Sequence, residues 1–131
     1  MISIKREDIE IVLEHARDEN PREACGILAG NNGIVEKVYR MKNKDLSSVT
    51  YLMDSMEQFA VMKEMRGKGL DIVGIYHSHT SSVAFPSATD IELAFYPEAS
   101  YLIVSLAGKE PQMRSFRIKD EKIEEEEIGI L

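Results

Sequence analysis

The sequence predicts an α/β (α+β) protein, a mixed sheet of six or seven strands accompanied by three helices. Three observations predict it. Apolar runs of strand length alternate with stretches whose apolar residues recur at helical spacing. Gly, Asn and Pro punctuate the joins between them. The chain has 131 residues, 44% hydrophobic and 30% charged, the size and balance of one ordinary domain spanning 1–131.

The elements follow in order. Residues 3–5 suit a short strand. Residues 7–19 carry Ile9, Val12, Leu13 and Ala16 at helical spacing, and the ring of Pro21 ends that helix by disfavouring helical geometry at Asn20. The apolar run 24–29 reads as a buried strand. Gly30-Asn31-Asn32-Gly33 is a tight-turn signal, and 34–41 returns as the second strand of a hairpin. Residues 42–49 are polar and loop-like, and 50–53 suits a further short strand. Asp54 is a good N-cap, with Glu57 three residues on as a variant capping box. The helix it opens, about 55–66, is expected to bury Met56, Phe59, Ala60 and either Met62 or the stem of Lys63, and Gly67-Lys68-Gly69 stops it. Residues 71–78 are the strongest central strand. A loop over 80–86 leads to a helix over 87–95, then a buried strand over 101–106. Residues 112–118 and 123–128 suit a closing hairpin.

Composition narrows the function. The net charge is −7, and residues 120–131 alone hold six acids and one lysine. The chain has no basic stripe, which argues against nucleic acid as a partner. The acidic run suits a solvated, charge-guarded edge. No apolar run approaches the ~18 residues of a membrane span, and the opening residues lack the pattern of a signal peptide. The single cysteine, Cys25, excludes an internal disulfide and any Cys-rich zinc cluster. A cytoplasmic protein is expected, with Cys25 as a small buried residue, His15 at the surface, and Met41, Met53, Met56, Met62 and Met65 as core filler.

The chemistry concentrates at the end of the central strand. His77 and His79 are two residues apart, so in a strand both imidazoles point to one side, and their nitrogens can converge on one ion. The run continues as H-S-H-x7-S-x2-D. Ser87 and Asp90 form a capping box, and the same Asp90 can be a third ligand from the first turn of its helix. Two imidazoles and one carboxylate leave one position open on a tetrahedral zinc, the mark of a catalytic rather than a structural site. A proton acceptor is also needed, and Glu23, just before a strand, is the candidate. Other zinc sites that use His-x-His fit less well. Metallo-β-lactamases continue with Asp-His, where this chain has Ser81. Cupins need a nearby glutamate, absent from 80–89, and nucleotide deaminases need a Cys-x-x-Cys pair.

H-S-H-x7-S-x2-D, with Glu23 upstream, resembles the JAMM (MPN+, or JAB) metalloprotease family. The resemblance runs over nearly the whole chain, through P-R-E-A-C-G-I-L-A-G, D-I-V-G-I-Y-H-S-H-T, F-P-S-A-T-D-I and Y-L-I-V-S-L. It implies the JAMM/MPN fold, a curved mixed sheet with three flanking helices and a cytidine-deaminase-like build. It implies one Zn2+ held at His77, His79 and Asp90, a general base at Glu23, and a Ser87 hydroxyl that stabilises the tetrahedral intermediate. Within the family the chain is similar to small prokaryotic single-domain members, above all the Mec-type hydrolases that release cysteine from a sulfur-carrier adduct. The implied partner is the C-terminus of a ubiquitin-like β-grasp carrier, and a homodimer is possible. Two alternatives stay open: a desampylase- or deubiquitinase-like isopeptidase, and a non-catalytic MPN scaffold. Scaffolds typically lack a ligand, and here every ligand is present.

Overall fold

The computed structural model describes residues 1–131. In chain order the elements are β1 (Ile2–Ile4), α1 (Arg6–Glu19), β2 (Cys25–Asn31), β3 (Ile34–Met41), α2 (Ser55–Gly67), β4 (Asp71–His79), α3 (Ala88–Glu92), β5 (Ser100–Ser105), β6 (Gln112–Lys119), β7 (Lys122–Glu126) and β8 (Ile128–Ile130). The strands form one eight-stranded sheet in the order β7-β6-β5-β4-β2-β3-β1-β8. β4 lies between antiparallel β2 and parallel β5. The expected hairpin forms as β2 and β3, turning through Asn32 at φ 54° and Gly33 at φ 75°, the left-handed region that Asn and Gly tolerate.

Alternation along the strands builds a core on each face. On one face Ile27, Ile75, Tyr101, Ile103 and Phe116 pack with Met41 and Met65. On the other, Leu28, Val73, Tyr76, Leu102 and Val104 pack with Ile2 and Ile4 and with Val12 and Ala16 of α1. Both faces are covered, so the central strands read as unbroken apolar runs. Gly26 is required by packing: a Cβ there would lie 2.1 Å from Cε1 of Tyr76. The Tyr76 ring crosses that space and its hydroxyl meets His15 Nδ1 at 2.6 Å.

Several expectations need correction. There are eight strands rather than six or seven, because the final segment divides at Glu127. Residues 122–126 pair with β6, whereas Ile128–Ile130 crosses to pair in parallel with β1 at the opposite end of the order. The strand expected over 50–53 is only an isolated bridge between Asn43 and Met53. The helix expected over 87–95 ends at Glu92. His15 is buried, 4% exposed, because α1 lays it against Tyr76. α2 buries a different face from the one expected. Asp54 caps it by accepting the Met56 N–H, but Glu57 reaches away to accept the Lys42 N–H at 2.8 Å. With the helix held there, Met65 is buried while Met56 and Phe59 are 83% and 72% exposed, and Ala60 is exposed too.

Candidate metal centre

β4 supplies the first two groups. Its period of two places His77 and His79 on the face opposite Tyr76, and both are buried. Pairing of His77 with Cys25 on one side and Ile103 on the other holds that strand end between two neighbours. α3 supplies the third group. Ser87 Oγ accepts the Asp90 N–H at 3.1 Å, and Asp90 Oδ2 accepts the Ser87 N–H at 2.9 Å, a complete capping box. The box fixes Asp90 on the first helical turn, aimed at the end of β4.

The three side chains meet at one point. Asp90 Oδ2 is 3.1 Å from His77 Nε2 and 3.0 Å from His79 Nε2, and the two Nε2 atoms are 3.2 Å apart. A tetrahedron with metal–ligand bonds of ~2.0–2.1 Å has edges of about 3.3–3.4 Å, so this triangle is already close to the size that a zinc ion needs. The donor chemistry agrees. His79 Nδ1 is 2.7 Å from the Val83 carbonyl oxygen, which can only accept. Nδ1 therefore carries the proton, and in the neutral ring Nε2 presents its lone pair to the centre. Tyr51 stacks on the His77 ring with centroids 4.8 Å apart, while His77 Nδ1 has no hydrogen-bond partner.

The electrostatics call for a cation. Burial works to raise the pKa of Asp90, but the His77 and His79 rings against it and the Ser87 N–H overcome it and hold the carboxyl well below the usual range. Burial works to lower His79, and the neighbouring Asp90 carboxylate and Val83 carbonyl turn the net shift upward. The trio thus stabilises positive charge at its centre, and two imidazoles with one carboxylate suit zinc.

Glu23 lies beside this trio, outside any strand. The adjoining Ala24 is gripped by β4: its N–H donates to Ser78 Oγ at 2.8 Å, and its carbonyl accepts the Ser78 N–H at 3.0 Å. The Glu23 side chain is 2% exposed and its Oε1 has no partner. Burial pushes its carboxyl up to about 7, with His79 pulling the value down and Asp90 raising it, so Glu23 lies within the field of both ligands. An unpartnered buried carboxyl next to a ready cation triangle is the second sign that the residues fit a metal and its water. Ser87 touches the trio through Asp90. Its Oγ is used as an acceptor there, which leaves its own O–H free to donate.

Other candidates take modest roles. Cys25 is fully buried, and burial first, then Glu57, Glu19 and Glu23, pushes its thiol up to about 12, which removes it as a nucleophile near neutral pH. Of the methionines expected in the core, Met41, Met53 and Met65 are there, Met62 is half-buried, and Met56 is exposed. Two site residues escape a reading of the sequence. Ser78 is marked only by its place between the histidines. Tyr51 has no local signal, since its partner His77 is far away in sequence. Tyr51 also walls an apolar cavity of about 120 Å³ with Met53, Ile75, Leu93, Tyr96 and Tyr101.

Comparison with known proteins agrees with this geometry. The model of a family described as prokaryotic homologs of the JAB domain matches residues 6–119. The chain is 38% identical to the CysO-cysteine peptidase of Mycobacterium tuberculosis, over 100% of this chain and 92% of that protein. It is 35% identical to the desampylase of Haloferax volcanii, over 82% of this chain and 83% of that one. The solution structure of a Desulfitobacterium hafniense protein superposes with a TM-score of 0.91 at 43% identity, covering 100% of this chain and 93% of the other.

Proposed function

The chain belongs to the prokaryotic homologs of the JAB domain, and from that premise we propose that it is a zinc metallopeptidase which hydrolyses the amide bond between cysteine and the C-terminus of a ubiquitin-like sulfur carrier. The observation that carries this reading is the buried triangle of His77, His79 and Asp90, whose ligand atoms all lie within 4.8 Å of one another, with the Glu23 carboxyl beside it. The 38% identity to a CysO-cysteine peptidase over the whole chain supports the substrate class.

Zinc held by His77, His79 and Asp90 would supply Lewis acidity, polarising a carbonyl and lowering the pKa of water to about 7. The chain's own groups do the rest. Glu23, buried beside the triangle with its Oε1 unpartnered, accepts a proton from the attacking water and returns it to the departing amine of cysteine. Ser87 Oγ donates its free hydrogen to the developing oxyanion. Asp90, locked by its capping box, keeps the ligand triangle in place through the cycle.

The reading extends to residues 1–131 as one catalytic unit working in the cytoplasm, consistent with a single cysteine and with the absence of any helix long and apolar enough to cross a membrane. A second reading, hydrolysis of isopeptide bonds to a ubiquitin-like modifier, is favoured by the likeness to a desampylase. Incubating the zinc-loaded protein with a carrier–cysteine adduct and with a carrier–lysine isopeptide conjugate separates the two. Mass spectrometry should find free cysteine and the shortened carrier. Cleavage of the isopeptide alone would transfer the assignment to the second reading, and cleavage of neither would refute both.

A further inference from the structure

Asn43 is a polar side chain only 1% exposed, and its amide has two hydrogens to donate and an oxygen able to accept twice. All four capacities are used. Nδ2 donates to the Glu23 carbonyl at 3.0 Å and to the Thr50 carbonyl at 3.1 Å. Oδ1 accepts the Asp45 N–H and the Leu52 N–H, each at 3.1 Å. One side chain thus closes the 43–53 loop around itself and ties it to Glu23. The loop grips Glu23 a second time, since the Glu23 N–H donates to the Ser47 carbonyl at 2.8 Å. Both backbone polar groups of Glu23 therefore bond to this loop. The same loop carries Tyr51, stacked on His77, and its Ser48 carbonyl accepts the Thr80 hydroxyl at 3.2 Å, just beyond His79.

We propose that Asn43 is a positioning residue: by fixing the backbone of Glu23 against the loop, it sets where the Glu23 carboxylate stands relative to His77, His79 and Asp90. This rests on the reading of Glu23 as the base. Oε1 of Glu23 has no hydrogen-bond partner, so the placement of that carboxylate depends on the backbone that carries it. Asn43 reaches the carbonyl of that residue directly, and a displacement of about 1 Å in a reacting group is enough to cost on the order of 10²-fold in rate.

The test is Asn43→Asp, which keeps an oxygen for the Asp45 and Leu52 N–H groups but turns an acceptor towards the Glu23 and Thr50 carbonyls. kcat on the carrier–cysteine adduct should fall by about 30–100-fold with KM within about twofold. Zinc content and the visible spectrum of the cobalt-substituted protein should be unchanged, because the ligands stand on β4 and α3. Amide exchange at the Glu23 N–H should quicken by about tenfold or more. In a Glu23→Gln background, adding Asn43→Asp should change the residual rate less than about twofold, since both act through one carboxylate. An unchanged kcat, a loss confined to KM, or losses that multiply with Glu23→Gln would each overturn the proposal. Normal turnover by Glu23→Gln alone would instead remove Glu23 as the base, and this proposal with it. Should Asn43→Asp not fold, Asn43→Ser is read by the same criteria, with an expected loss in kcat of about tenfold.

Discussion

Acid should weaken this protein through a group on the face of the sheet opposite its metal centre. His15 is buried and bonded to the Tyr76 hydroxyl at 2.6 Å. Burial first, and Arg40 after it, lower its pKa from 6.5 to about 4, with Asp18 opposing. Burial also raises the Tyr76 phenol, so Tyr76 keeps its proton beside His15 Nδ1 and offers no negative charge to it. Protonating His15 charges a buried ring. The folded pKa lies below the unfolded one, so the unfolded chain binds the extra proton between pH 6.5 and about 4. The stabilisation is fully present above that window and is lost as the pH falls through it. The full separation corresponds to about 3 kcal/mol. Solvent screening by way of the exposed partners Arg40 and Asp18 reduces this to roughly 2 kcal/mol, of which about 1–2 kcal/mol is lost from pH 7 to pH 5. His15→Gln keeps an acceptor for Tyr76 and removes the titration. Urea unfolding of both proteins at matched zinc, from pH 7.5 to pH 5, should show wild type losing that much more than the variant, the metal contribution cancelling in the difference. Parallel stability curves would refute the reasoning.

Further predictions concern the site and the core. Glu23→Gln should retain one zinc per chain by metal analysis while hydrolysis drops on the order of 10²–10⁴-fold, whereas Asp90→Ala should lose the metal itself. Ser87→Ala should lower kcat by roughly 10²–10³-fold and, as a lost cap, destabilise the fold by about 1 kcal/mol, seen as a lower melting temperature at full zinc occupancy. Gly26→Ala should destabilise by about 1–3 kcal/mol in chemical unfolding, because its Cβ would enter the Tyr76 ring.

What could be read from the sequence was what is local. The pattern from His77 to Asp90 lies on one strand, one loop and one helical turn, so its spacing alone brings the ligands within reach, and the capping box that aims Asp90 is itself a four-residue signal. The hairpin through Asn32 and Gly33 was legible for the same reason. What escaped depends on distant partners. Ile128–Ile130 becomes a strand only because β1 offers it an edge, and nothing within those three residues says so. α2 carries apolar residues around much of its circumference, so periodicity could not choose its buried face, and the bond from Lys42 to Glu57 did. His15 looked like a surface residue among charges until Tyr76, 61 positions away, met it. The 50–53 segment has the composition of a strand, but its Thr50 carbonyl and Leu52 N–H bond to the Asn43 side chain rather than to a neighbouring strand.

The single residue Glu127 separates strands at the two extremes of the sheet order, and this has a consequence for how the molecule is made. Ile2 must wait for Ile128 before its outer backbone groups find their mates, so during synthesis β1 stays an uncovered rim while most of the chain emerges. Such distant pairings form slowly, and an uncovered rim invites a second chain to dock on it. The final segment therefore works as a latch: once seated it covers that rim, and a nascent chain stalled short of it is the form most exposed to sticking to its own copies.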